Sequence, residues 1–218
     1  MQWDFSVVLK NLPFLLTGVE YTVMLTLIAM VGGMVLGLFI ALARMSRFKV
    51  LSFPAQLYID FFRSTPLLIQ LVWFYYCLPI VLGINMTAFV SGAVAMTIYA
   101  SAYISEIYRA GIEAVPTGQW EAAMSQGMTN SQILRRVVLP QAVRHVLPLF
   151  ASQFMSLFKD SSIASVVSVT ELMFHAAALV STTFRPLEVY TVAAIIYVIL
   201  TYPQSFAINL LHRRTSIV

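Results

Sequence analysis

Long apolar runs, separated by short basic or polar stretches, organise this chain. Tyr21 to Ala43 carries no charge and is long enough to cross a bilayer, whose core of about 30 Å takes roughly 20 helical residues. Ser64 to Ser105 is also free of charge but too long for one span. Pro79, Gly83 and Asn85 cluster near its middle, where Pro and Gly favour a turn, so the run divides into helices over about 64–81 and 87–108. A fourth apolar segment, about 146–170, is interrupted by Lys159 and Asp160, and a fifth, about 189–211, is clean. The pattern predicts an all-α integral membrane fold of five transmembrane helices. A polar loop at 117–140 joins the third and fourth spans, and 212–218 forms a tail.

The first 20 residues place Trp3, Phe5, Val7, Val8 and Leu9 beside Asp4 and Lys10. That mixture suits either a segment lying flat at the membrane interface or disorder. Gly33 and Gly37 form a Gly-x-x-x-Gly pair, which points to close helix packing within the subunit.

Basic residues orient the spans. Arg44, Arg47 and Lys49 follow the first, Arg109, Arg135, Arg136 and Arg144 lie near the loop after the third, and Arg213 and Arg214 follow the fifth. The opposite loops carry only Lys10 and Arg185. Basic loops stay in the cytoplasm, so the N-terminus is expected outside, with the C-terminus and the 117–140 loop inside.

Composition supports a lipid-embedded chain: 60% of the 218 residues are hydrophobic and 10% charged, against about a quarter charged in soluble domains. The three His and single Cys77 supply no disulfide framework and no zinc spacing. No signal peptide is expected, because no basic region, apolar core and small-residue cleavage site open the chain. None of the nine Gly lies in a Gly-x4-Gly-Lys-Ser/Thr pattern, so the chain has no phosphate cradle of that type and any ATP hydrolysis must occur on a partner chain.

The polar loop reads as two short helices. Pro116 ends what precedes it, and Gly118 suits an N-cap with Glu121 reaching back as half of a capping box. Ala122 and Ala123 are small enough for another protein's surface to approach the helix closely. Gly127 suits the left-handed residue that closes a helix. Thr129 and Gln132 make a second capping box, opening a helix through Ile133, Val137 and Leu139 that Pro140 is expected to break. An ordinary helical loop is the plain alternative to a docking element.

The spacing within this loop adds a resemblance. Glu121-Ala122-Ala123, three residues, Gly127, nine residues, then Val137, one residue and Leu139-Pro140 resembles the cytoplasmic motif of permease subunits from binding-protein-dependent ABC importers. The one departure is Val137, where that family usually has Ile. Phe62-Arg63-Ser64-Thr65-Pro66-Leu67, Tyr103 to Gly111 and Leu157 to Ile163 are similar to the polar amino-acid (His/Glu/Gln-type) permeases. The resemblance implies a type I ABC importer permease fold in a bacterial inner membrane, with 117–140 as the coupling loop. It implies a second permease subunit, identical or paralogous, two ATPase subunits, an external solute-binding protein and an amino-acid substrate. ATP and Mg would sit on the ATPase, with no cofactor in this chain, no catalytic role and no nucleic-acid partner. Arg63-Ser-x-Pro66 and Trp73-Phe74-Tyr75 lean towards glutamate or aspartate.

Charges at membrane depth cost about 2.5–3.5 kcal/mol on insertion scales and usually face a path or a partner. Lys159 and Asp160 point about 100° apart on a helix and cannot face one another. Asp160 suits a substrate ammonium, and Arg63 or Lys159 its carboxylate. Tyr103, Glu106 and Ser161 complete the candidate path, and a structural ion-pair network is the alternative. Glu106 and Arg109 read first as an i,i+3 pair. Glu20, Asp60, Glu171, His175 and His212 fall at predicted span ends, where solvation is cheap. A secondary carrier is the serious rival, but it calls for inverted repeats and usually more helices. An intramembrane hydrolase finds no Gly-x-Ser motif.

Overall fold

The computed structural model describes the backbone of residues 4–215 and the side chains of residues 4–204. Nine helical segments follow in order among the described residues: α1 Ser6–Lys10, α2 Leu12–Arg44, α3 Lys49–Ser64, α4 Leu67–Leu82, α5 Ala88–Glu113, α6 Thr117–Ser125, α7 Asn130–Val167, α8 Leu172–Thr183 and α9 Pro186–Thr215. Three of them (α2, α5 and α9) are long and apolar enough to span alone. Two bent pairs supply the remaining spans: α3 and α4 meet at 104°, and α7 and α8 at 48°. With each bent pair counted as one, the described helices supply up to five candidate spans, two of them broken.

The longest seam runs between α2 and α5. It is close because Gly33 and Gly37 leave the α2 backbone bare where α5 passes. A Cβ on Gly33 would sit 2.8 Å from Ala100 Cβ, and one on Gly37 would sit 2.9 Å from the Ser101 carbonyl oxygen. The main core forms along this seam from Leu25, Ala29, Met96, Ala100 and Ile104, joined by Leu71 and Leu157. Burying side chains of the Leu or Ile type contributes roughly 1.5–3 kcal/mol each in water, but between helices in lipid close packing carries the stabilisation instead.

Several sequence expectations change here. Residues 12–20 belong to the α2 helix, which opens with Pro13 in its first turn, rather than to an interfacial or disordered lead. Trp3 lies outside the described residues, as do the side chains of His212, Arg213 and Arg214. Glu20 sits exposed within α2, not at its end. Residues 49–64, left without an element in the hydrophobic pattern, form α3. Pro140 does not break its helix: a π turn over Leu134–Val138 precedes it, and the helix continues through Leu139–Asp160. Widened turns of this kind accommodate a residue lacking a backbone donor.

The fourth span also differs. Its rod tightens into a 3-10 stretch at Ser161–Val167 and closes at Ser168, whose φ is 63°. A second helix, α8, then starts at Leu172. Glu171 therefore lies inside the bundle rather than at a solvated end, and it is fully buried. Its carboxylate accepts from Phe174 N at 2.8 Å and from the Tyr197 hydroxyl at 2.8 Å. His175 is buried as well, with Nδ1 3.1 Å from the Glu171 carbonyl and Nε2 3.3 Å from Thr17 Oγ1.

Candidate functional site

Two regions carry the candidate chemistry, and α5 and α7 connect them. The first is the elbow between those helices. Pro116, with ψ 139°, is the N-cap of α6, so the helix opens one residue before Gly118 and no side chain caps it. Glu121 thus falls beyond the first turn and does not cap, contrary to the capping-box expectation. It is exposed instead, as are Ala122, Met124 and Gly127. Ala123 is turned the other way, 5% exposed, into a small cluster with Val115, Ile133, Val138 and Ala142. One alanine of the pair faces outward and the other anchors the elbow to its own subunit.

The elbow's end is well defined. Gly127 has φ 77°, its N–H donates to the Met124 carbonyl at 2.9 Å, and Met128 N–H donates to the Ala123 carbonyl at 3.2 Å. These paired bonds are a Schellman closure, which requires a left-handed residue where Gly127 stands. The expected capping box follows: Thr129 N–H donates to Gln132 Oε1 at 2.9 Å, and the Thr129 side chain caps the start of α7. Val137 packs partly against the elbow cluster, while Leu139 and Pro140 are exposed. Ile133, expected on this helix, and Val138, not singled out in the sequence, are both fully buried anchors; apolar spacing beside the motif was the available signal for Val138.

From the elbow, α7 runs without interruption to Lys159 and Asp160, a rise of roughly 45 Å at 1.5 Å per residue.

The second region gathers Arg63, Tyr103 and Glu106. The Arg63 guanidinium carbon lies 5.4 Å from the Tyr103 ring centroid, and Nη1 is 3.9 Å from Glu106 Oε2. Glu106 also accepts from Arg109 Nη2 at 2.7 Å and Nε at 3.1 Å, so the expected i,i+3 pair forms. Arg109 reaches on to Glu113. The carboxylate of Glu106 thus stands between two guanidinium groups, one from α3 and one from its own helix. The Tyr103 ring lies 4.8 Å from that of Tyr99.

Asp160 is half-buried and Lys159 exposed, and among the described residues neither forms an ion pair. Ser161 stands apart from them. It is fully buried, and its hydroxyl donates to the Phe158 carbonyl at 2.8 Å, so it stabilises its own helix rather than facing an open path. Among the described residues no group of three His, Cys, Asp or Glu side chains is placed to hold a metal ion.

The family model of the binding-protein-dependent transport system inner membrane component matches residues 33–217. The chain belongs to that family. It is 40% identical over 211 residues to the probable glutamine ABC transporter permease protein GlnM of Bacillus subtilis (strain 168), covering 97% of each chain. It is 34% identical over 222 residues to the glutamate/aspartate import permease protein GltK of Escherichia coli O157:H7, covering 99% of each. The crystal structure of an amino acid ABC transporter with histidines superposes with a TM-score of 0.93 at 40% identity, covering 98% of this chain and 100% of that one. An inward-facing structure of the MetNI methionine ABC transporter, at 23% identity and a TM-score of 0.80, shares the fold. The chain is an amino-acid ABC transporter permease with the type I importer fold.

Proposed function

We propose that this permease is one half of the membrane pathway of an ATP-driven importer, carrying a polar amino acid inward by alternating access. A second permease, identical or paralogous, completes the pathway. Two ATPase subunits bind ATP and Mg on the cytoplasmic side, and a solute-binding protein delivers substrate outside. The basic loops support an orientation with the N-terminus outside and the elbow in the cytoplasm.

The observation that carries this reading is the elbow itself: an exposed short helix, closed at Gly127 and packed on the base of α7, which carries Lys159 and Asp160 towards its far end. Glu121, Ala122 and Gly127, with Leu139 and Pro140, present the surface that meets the ATPase, while Ala123 and Val137 hold it to the bundle. When ATP closes the ATPase pair, the two elbows draw together and the rods tilt, opening the path outward. Hydrolysis restores the inward-facing state.

Along the path, Asp160 offers a carboxylate to the substrate ammonium. Arg63, already over Tyr103 and beside Glu106, offers a guanidinium to its carboxylate, and Lys159 adds a second cation. Relatives named for glutamine, arginine, cystine and glutamate/aspartate transport are 33–40% identical over at least 93% of this chain, and the Arg63-Ser64-Thr65-Pro66 run leans towards an acidic substrate. The test is uptake into proteoliposomes containing this chain and its partners. The proposal expects vanadate-sensitive uptake that requires ATP. Uptake driven by an ion gradient without ATP would replace it with a secondary carrier.

A further inference from the structure

Between the last turn of α2 and the first turns of α3 lies an open cleft of about 600 Å³, lined by Arg44, Lys49, Val50, Ser52, Phe53 and Gln56. Its two cations are uncompensated: among the described residues neither Arg44 nor Lys49 forms an ion pair. The shielded Arg44 Nε has no hydrogen-bond acceptor. Asp60, the acid on α3, is already engaged, with both carboxylate oxygens 2.6 Å from Gln56 Nε2. Arg47, in the same turn, is used elsewhere, its guanidinium carbon 5.1 Å from the Phe48 ring centroid.

Beside these charges, α3 presents an apolar stripe. Val50 is 84% exposed, Phe53 70% and Leu57 61%, at the i, i+3, i+7 spacing of one helix face. A cationic cleft continued by an exposed apolar stripe matches one kind of molecule, with an anionic head and a hydrocarbon tail. We propose that this cleft between α2 and α3 is a binding site for an anionic phospholipid, the phosphate between Arg44 and Lys49 and an acyl chain along Val50, Phe53 and Leu57. A free phosphate would leave the stripe unused. A second copy docking here through a two-fold contact would set Arg44 and Lys49 against their own like charges.

Native mass spectrometry of the full chain in detergent, with phosphatidylglycerol and phosphatidylcholine of matched acyl chains, tests the site. The wild type is expected to retain phosphatidylglycerol roughly thirtyfold better, the order that two basic groups near an anionic surface provide. The Arg44→Gln/Lys49→Gln variant should lose that preference, and Arg47→Gln, which removes the same kind of charge outside the cleft, should keep it. Equal retention of the two lipids by the wild type, or an undiminished preference in the double variant, would overturn the proposal. So would an equal loss in Arg47→Gln, which marks diffuse charge rather than a site. Displacement of the lipid by inorganic phosphate would assign the cleft to a free anion. Cross-linking of cysteines placed at Ser52 in two copies would assign it to the subunit contact, and either result rejects a lipid. Should the double variant fail to fold, Phe53→Ser keeps both cations. It is expected to weaken retention of long-chain but not six-carbon-chain phosphatidylglycerol, and equal effects on both would reject the acyl-chain contact.

Discussion

Tyr197 donates its hydroxyl hydrogen bond to Glu171 at 2.8 Å, joining α9 to the break between α7 and α8. Thr22 of α2 completes the junction by accepting from Leu172 N–H at 3.1 Å, so three spans meet beside one buried carboxylate. Removing one partner from a buried polar pair strands the other, at about 1–3 kcal/mol. Tyr197→Phe is therefore expected to lower the denaturation midpoint in detergent, and Glu171→Ala to lower it further. The double variant should cost less than the sum, because the two share one interaction. A strictly additive pair would show that they act independently.

Gly37 leaves room for the Ser101 carbonyl, and a Cβ there would sit only 2.9 Å from it. Gly37→Val must push α2 away from α5, at the roughly 1–3 kcal/mol typical of overpacking. A marked loss of folded protein by fluorescence-detected size-exclusion chromatography is expected. Substitution at Gly118, where nothing lies within 4 Å, should leave the folded yield unchanged.

Asp160 is half-buried without an ion-pair partner among the described residues. Asp160→Asn removes charge while keeping shape, so assembly with partner subunits should persist while uptake falls by at least tenfold, the factor for about 1.4 kcal/mol. Normal uptake in this variant would take Asp160 out of the substrate path.

Arg63 and Glu106 are 3.9 Å apart with side chains 44% and 21% exposed, a setting in which ion pairs contribute about 0–1 kcal/mol. Glu106→Gln should thus leave thermal stability nearly unchanged. It also frees Arg63 and Arg109 to attract anions, so competition assays should show acidic substrates gaining affinity relative to neutral ones. A large stability loss with no change in selectivity would make the pair structural.

Asp4, outside the spans, accepts from Ser6 Oγ at 2.6 Å and Ser6 N–H at 3.0 Å, and these bonds hold its carboxyl below the usual range. A depressed acid contributes stability that is present above its unfolded pKa and lost as pH falls through its folded one. The α1 turn should therefore stay protected from amide exchange at neutral pH and lose protection only in acid, below the ordinary aspartate range. Asp4→Asn should remove that pH dependence.

The parts of the fold written in local chemistry were legible in the sequence. Gly127 is left-handed because a helix closes there, and Thr129 with Gln132 opens the next one. Both depend on a few neighbouring residues. Gly33 and Gly37 were legible too, since bare backbone at that spacing suits a close helix neighbour. What tertiary packing decides was not. Glu171 looked cheap to solvate at a span end, and only the bend between α7 and α8 reveals it as a buried junction. Glutamate is not among the favoured N-cap residues, so nothing local announced α8. Pro140 read as a breaker because the π turn ahead of it has no sequence signature. Ala122 and Ala123 looked equivalent until the cluster beneath the elbow set one outward and the other inward. Charge-free runs likewise passed over α3, because Lys49, Asp60 and Arg63 interrupt its apolar residues.

The central claim is that work done by an ATPase enters this bundle through the Thr117–Ser125 elbow. Gly127→Val tests it most directly, because nothing lies within 4 Å of a Cβ there, and the strain of roughly 1–2 kcal/mol falls on the left-handed backbone alone. The measurement is ATP-dependent uptake by the assembled complex in proteoliposomes, beside a check that the folded yield is unchanged. The account predicts an intact bundle with uptake abolished; undiminished uptake with the elbow's closure lost would contradict it.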